Sequence, residues 1–182
     1  MSNTTWNIDT THSSIGFTVR HMVFAKVRGR FAAWTGKVQL DPASLANGSA
    51  EVTIDAKSID TGVSDRDTHL RSGDFLDVER FPELRFVSQG VQHAGGDRYR
   101  VEGALTIRDV TRTVTLDVTY AGQVKDPWGN QRVAFTATTS LDRREFGLVW
   151  NQALEAGGVL VGERVEIEIE LQAVQAAGSA AA

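Results

Sequence analysis

The chain has 182 residues, 41% of them aliphatic or aromatic and 23% charged, with a net charge of -4; that fits one globular domain and argues against a binder of phosphate backbones, which would be basic. It contains no cysteine, which excludes a disulfide framework, a thiolate metal site and a cysteine nucleophile. No stretch approaches the ~20 apolar residues of a membrane span, and MSNTTWNIDTTHSS lacks the basic start and apolar run of a secretory leader, so a cytoplasmic location is expected.

Along the chain the dominant signal is alternation with period two, the mark of strands with one buried face. Ile15, Phe17 and Val19 share a face, which carries His21 inward and Arg20 outward. Val52, Ile54 and Ala56 form the next row, followed by Val101, Gly103, Leu105 and Ile107, and then by Val114, Leu116, Val118 and Tyr120. Val133, Phe135, Ala137, Thr139 and Leu141 form another, and in 165–171 Val165, Ile167, Ile169 and Leu171 oppose Glu166, Glu168 and Glu170. Asp41-Pro42, Asn47-Gly48, Gly95-Gly96-Asp97, Asp126-Pro127-Trp128-Gly129-Asn130 and Ala156-Gly157-Gly158 mark turns between them. The connectors are short, so most neighbours are expected to pair as antiparallel hairpins, about eight strands in all. Such a set closes into a barrel or folds as a two-sheet sandwich; the alternation suits both. The domain is expected to occupy 1–174, with 175–182, QAAGSAAA, which has nothing to pack, as a disordered tail.

Only 64–86, SDRDTHLRSGDFLDVERFPELRF, does not read as strand. Ser64 and Asp67 fit a capping box, so a helical lid is expected over about residues 65–79, with Gly73 in the left-handed conformation, Asp74 capping a second turn, and Pro82 starting the next strand. Leu70, Phe75, Leu76 and Phe81 give it an apolar underside, while Asp65, Arg66, Asp67, His69 and Arg71 crowd the same turns. On a helix Asp65 and His69 share a face and Asp67 does not, so these three make a poor metal site or acid–base couple. Capping and ion pairs that hold the lid to the rim are the simplest account of them; contact with a ligand head group by Arg66, His69 or Arg71 is the functional alternative. Asp142, Arg143, Arg144 and Glu145 read as a solvated face near a loop. No G-x-S-x-G, H-E-x-x-H, phosphate loop or dinucleotide fingerprint is present, so neither an enzyme nor a cofactor or metal site is expected.

The run Arg66-Asp67-x-His69-Leu70-Arg71-Ser72-x-Asp74-Phe75-Leu76-Asp77, with Phe81-Pro82 and Phe86, resembles the signature of the YceI family of polyisoprenoid-binding, lipocalin-like proteins. Trp6-x-Ile8-Asp9-x-x-His12-Ser13 with Phe17 and His21, Gly103-x-Leu105-Thr106-Ile107-Arg108-x-Val110-Thr111-Arg112, and Arg144-Glu145-Phe146-Gly147-Leu148 resemble the family's opening strands, middle hairpin and late segment. The resemblance spans roughly residues 6 to 172. It implies a single antiparallel lipocalin-like β-barrel of about eight strands with a short helical lid, which binds, carries or sequesters an elongated apolar ligand such as a polyisoprenoid, an isoprenoid quinone or a similar lipid. A fatty amide or a hydrophobic drug in the same barrel is the nearest alternative, and a small enzyme using Asp65, Asp67 and His69 the more distant one. A homodimer fits the resemblance, with Trp34 and Trp128 as exposed apolar contacts.

On that reading the bore is lined early by Phe17, Val19, His21, Phe24 and Ile54, and beneath the lid by Leu70, Phe75, Leu76 and Phe86. Gly103, Leu105, Leu116, Phe135 and Ala137 line it further along the chain, with Phe146 and Trp150 last; small residues at Gly103, Ala56, Ala137 and Thr139 leave room. His21 is the best polar anchor inside the channel.

Overall fold

A computed structural model describes residues 2–178. Eleven strand segments make one antiparallel sheet that closes on itself. The early ones are β1 (Thr4–Ile8), β2 (Ser14–His21), β3 (Ala25–Phe31), β4 (Trp34–Asp41), β5 (Ser44–Asp55) and β6 (Ile59–Asp60). After the single α-helix of the described residues, α1 (Ser64–Arg71), come β7 (Glu83–Gly95), β8 (Arg98–Ile107), β9 (Val110–Lys125), β10 (Gln131–Asp142) and β11 (Val161–Gln175). The segments resolve into eight walls, because β1 and β2, β3 and β4, and β5 and β6 are each two halves of one bent strand. β3 pairs β2 while β4 pairs β1, and β11 pairs β2 along one half and β1 along the other, which closes the barrel.

The bends have a local cause. Asp9 accepts from the Thr11 amide at 3.1 Å and Asp55 from the Lys57 amide at 3.0 Å, and each carboxylate thereby nucleates a short 3-10 turn that interrupts its strand. Opposite the first break, the Gln172 amide would lack a ladder partner; it donates to the Ser13 hydroxyl at 2.9 Å, and the Gln172 carbonyl accepts from the Asp9 amide at 2.8 Å.

The side chains divide as the alternation requires. Val165, Ile167, Ile169 and Leu171 face the interior, and so do Val114, Leu116 and Val118, and Phe135, Ala137, Thr139 and Leu141. One end is stoppered by a cluster of Trp6, Val38, Leu40, Leu45, Val133 and Ala173. The indole nitrogen of Trp6 donates to the Leu40 carbonyl at 3.3 Å, which fixes the ring across the floor. A second cluster, including Trp34, Ile54, Ile59, Phe75, Leu76, Leu84 and Phe146, sits at the lid end.

Several expectations need correction here. The helix is shorter than 65–79: α1 ends at Arg71 and the remainder winds through turns. Ser72 terminates it, its hydroxyl donating to the His69 carbonyl at 2.6 Å and accepting from the Asp74 amide at 3.3 Å. Gly73 is not left-handed; Asp77 is, at φ 48°. Ser64 is no side-chain cap, because Val63 holds the cap position and Asp67 turns back to accept from the Thr61 amide at 2.9 Å and from its hydroxyl. Trp34 is buried in the core rather than offered to a partner, whereas Trp128 is 81% exposed. Gln175, expected to begin a frayed tail, ends β11 opposite Trp6, and the Ala176 amide donates to the Thr5 carbonyl at 2.9 Å. The rest of that expected tail, 179–182, lies outside the described residues.

Candidate functional site

The barrel encloses a cavity of about 660 Å³ running from the Trp6 stopper to the lid. Most of its surface is hydrocarbon, because the inward rows of β2, β8, β9, β10 and β11 all open on it. Its charged and imidazole groups gather at one end, where Thr61, Asp65, Arg66 and His69 descend from the lid segment and His21 and Arg143 lie beside them, whereas the hydroxyls of Ser49, Ser88, Tyr99 and Thr136 are spread along the rest of the lining. A dry tube with a polar mouth binds an amphiphile by its tail and orients it by its head.

Two arginines staple the lid. Arg66 donates to the Thr61 hydroxyl at 2.7 Å and to its carbonyl at 2.9 Å. Arg71 donates to the Lys57 and Ile59 carbonyls at 2.8 and 2.9 Å and, unlike Arg66 and His69, does not line the cavity. His69 holds Asp74 at 2.8 Å through Nε2 and stands edge-on to Trp150, ring centres 4.6 Å apart, and to Phe75 at 5.1 Å. The Asp65, Asp67 and His69 group does not converge: Asp67 is spent on Thr61 and His69 on Asp74. No cluster of three metal-ligating side chains exists among the described residues.

Of the residues expected along the bore, Phe17, Val19, His21, Ile54, Leu70 and Phe75 line the cavity, as do Leu76, Phe86, Leu105, Leu116, Phe135, Ala137 and Trp150. Three do not. Phe24 sits at the tip of the β2–β3 hairpin, 90% exposed. Phe146 is buried in the wall, on a 3-10 turn that begins after β10. Gly103 is on the inward row, but it adds no free space: a Cβ there would lie 2.4 Å from Cζ of Phe86, whose ring occupies the gap. Ala56 is likewise enclosed in the core and borders no open space.

Arg143 is the residue that sequence reading missed. Far from being solvated, it is 4% exposed. Nε donates to the Gly162 carbonyl at 2.8 Å, Nη1 to those of Leu148 and Trp150 at 2.6 and 2.9 Å, and Nη2 to that of Val161 at 3.2 Å. Burial pushes the guanidinium below its ordinary value, and the charges of Glu163 and Asp142 offset part of that. Its neighbour Arg144 points out and pairs with Asp142 at 2.6 Å, which holds that carboxyl down at about 2. The signal was available: the row Phe135, Ala137, Thr139, Leu141 extends by two more residues to Arg143. Trp34 was legible in the same way, heading the row Trp34, Gly36, Val38, Leu40.

Comparison with known proteins agrees with this architecture. The family model for the YceI-like domain matches residues 6–173. A UPF0312 protein of Vibrio cholerae serotype O1 is 34% identical over 164 residues, 90% of this chain and 82% of that protein. One from Shewanella denitrificans is 38% identical over 137 residues, 75% of this chain and 72% of that protein. Among solved structures, Burkholderia cenocepacia BcnA superposes with a TM-score of 0.80 at 28% identity, covering 91% of this chain and 98% of that one. A domain from Saccharophagus degradans, described as polyisoprenoid binding, gives a TM-score of 0.67 at 15% identity over 94% of this chain and 98% of that one, a likeness of fold.

Proposed function

The chain belongs to the YceI-like domain family, and from that premise we propose that it is a non-enzymatic binding protein that carries or sequesters one elongated apolar ligand, a polyisoprenoid, an isoprenoid quinone or a similar lipid. The observation that carries the reading is the cavity of about 660 Å³, apolar over most of its surface and with its charged and imidazole groups at one end. Its supports are the family and the likeness to a domain described as polyisoprenoid binding. Tail burial supplies the affinity: each methylene removed from water contributes about 0.8 kcal/mol, so ten supply about 8 kcal/mol before association costs. Arg66, His69 and His21 at the mouth then select head group and orientation, with the carbonyl-bound Arg143 guanidinium adding positive potential beneath them.

A cytoplasmic location and a homodimer belong to the same reading. Among the described residues no helix is long and apolar enough to cross a membrane. Cell fractionation tests the location, and sedimentation of the purified chain tests the dimer.

The deciding experiment is organic extraction of protein purified without detergent, followed by mass spectrometry. A stoichiometric prenyl lipid is expected. A fatty amide or an aromatic drug-like molecule in its place would favour the alternative cargo, and a chain that neither retains nor takes up any long-chain lipid would refute the proposal.

A further inference from the structure

The β2–β3 hairpin presents at its tip Met22, Val23 and Phe24, exposed at 48%, 54% and 90%. The backbone is left-handed at Met22 (φ 51°) and Val23 (φ 69°). That conformation suits Asn or Gly and is an outlier for a β-branched residue, so the turn holds apolar side chains in solvent at a conformational cost. The tip is anchored, not loose: the Met22 amide donates to the Leu160 carbonyl at 2.9 Å, and a Cβ on Gly158 would lie 3.4 Å from Val23. Exposed Val149 and Val159 on the connection between β10 and β11 add to the apolar surface at this end of the barrel.

Behind the tip the outward face of the hairpin is basic. The register sets Arg20 opposite Lys26 and Thr18 opposite Arg28, while Val19 and Val27 face the cavity. Arg20, Lys26 and Arg28 are exposed, and none is in an ion pair among the described residues; Arg30, further from the tip, is offset by Asp60 at 3.3 Å. This concentration of positive charge stands on a chain whose net charge is -4. The carboxylates of the neighbouring strand flank this patch without pairing with it: Glu166 lies opposite Thr18 on the rung of Arg28, and Glu163, which shares an outward groove with Arg20 and Lys26, pairs instead with Arg144 at 3.1 Å. Cations on an exposed edge strand also deter edge-to-edge pairing, but that role accounts for Lys26 and Arg28 and not for an unprotected phenylalanine beyond them.

An apolar wedge ringed by cations matches an anionic lipid surface, which takes side chains into its interface and charge at its head groups. We propose that the β2–β3 hairpin docks the protein on anionic phospholipid bilayers, with Phe24, Val23 and Met22 entering the interface and Arg20, Lys26 and Arg28 contacting the head groups. His21, Leu160 and Val161, next to the tip, line the cavity, so docking sets the mouth of the barrel against the membrane.

Co-sedimentation of the whole chain with phosphatidylcholine vesicles containing phosphatidylglycerol, beside vesicles of phosphatidylcholine alone, reads the docking directly. Preferential pelleting with the anionic vesicles is expected, released by salt. The double variant K26E/R28E should bind them on the order of thirtyfold more weakly, and F24S about tenfold, with melting temperatures unchanged because all three side chains are exposed. Equal pelleting on the two vesicle types, or wild-type binding by K26E/R28E, would overturn the proposal. So would an F24S-sensitive dimer without vesicle binding, which would make the tip a contact between copies. Pelleting requires no occupant in the barrel, so its outcome is independent of what the cavity holds.

Discussion

Replacing Arg143 by methionine keeps the aliphatic stem and deletes the guanidinium, and the structure gives the size of the effect. Four carbonyls, those of Leu148, Trp150, Val161 and Gly162, lose their donor at once. A hydrogen bond to a charged group contributes about 1.5–3 kcal/mol, whereas relief of the buried charge returns several kcal/mol. The net expectation is a loss of about 3 kcal/mol, which for a domain of this size lowers the melting temperature by about 6–12 °C. The loss should be localised as well. Those carbonyls flank the connection between β10 and β11, so amides near Trp150 and Val161 should exchange faster than the β8–β9 hairpin, which Arg143 does not touch. Calorimetry and hydrogen exchange together make the assay. A methionine variant melting within about 2 °C of wild type, with exchange near Trp150 unchanged, would refute the claim that the guanidinium organises this connection. Arg143→Lys, with one compact ammonium in place of a planar fork, should recover less than half of the loss.

Ala137→Trp, which places an indole into the bore from the inward row of β10, should abolish uptake of a fluorescent prenyl probe while leaving the far-ultraviolet circular dichroism unchanged; normal uptake would show that the ligand lies elsewhere. Gly103→Ala should destabilise by about 1–3 kcal/mol in chemical denaturation, since its methyl would meet Phe86 at 2.4 Å and the Val87 carbonyl at 2.8 Å, and Phe86→Leu in the same chain should recover part of it. Arg132 joins Asp9 at 2.8 Å and Asp126 at 2.9 Å, and both carboxyls are held low, Asp126 at about 2 against an ordinary 3.8 and Asp9 lower still, with His12 assisting. A depressed folded-state value means that the stabilisation is complete above the unfolded pKa and fades on acidification. The gap in melting temperature between wild type and Arg132→Leu should therefore be constant above about pH 5 and narrow below 3.8, the Asp126 share fading by about 2 and the Asp9 share only at still lower pH; a gap that widens on acidification would contradict the assignment.

The barrel was legible because its walls obey a rule of period two that survives without knowledge of neighbours: Val165 to Leu171 can be read by eye, and the cavity lining repeats it. Alternation says which face is inward and nothing about what fills the space there. Gly103 reads as room until the diagonal neighbour Phe86 is seen lying over it, and that placement depends on the pairing register of β7 and β8. Local polarity misled more than it informed. Four charged residues in succession, 142–145, suggest a solvated surface, yet the inward row of β10 reaches Arg143, the first residue of the 3-10 turn that follows the strand, and turns it inside. Asp67 was read as a capping partner of Ser64, but it takes another backbone donor, the Thr61 amide, across a turn whose shape the sequence does not disclose. Phe24 continues no inward row, because the chain reverses at Met22.

The segment 56–82 leaves the β5–β7 ladder at Asp55 and rejoins it at Glu83, and those two residues pair with each other; within it only β6 stays in the wall, pairing two residues of β3, while α1 and the turns after it stand outside. Departure and return at one rung make the entrance a cassette: its length and chemistry can be rewritten while the hydrogen-bond ladder on either side keeps its register. The tube and its doorway are therefore separable inheritances, and one scaffold can acquire a new clientele by changing the doorway alone.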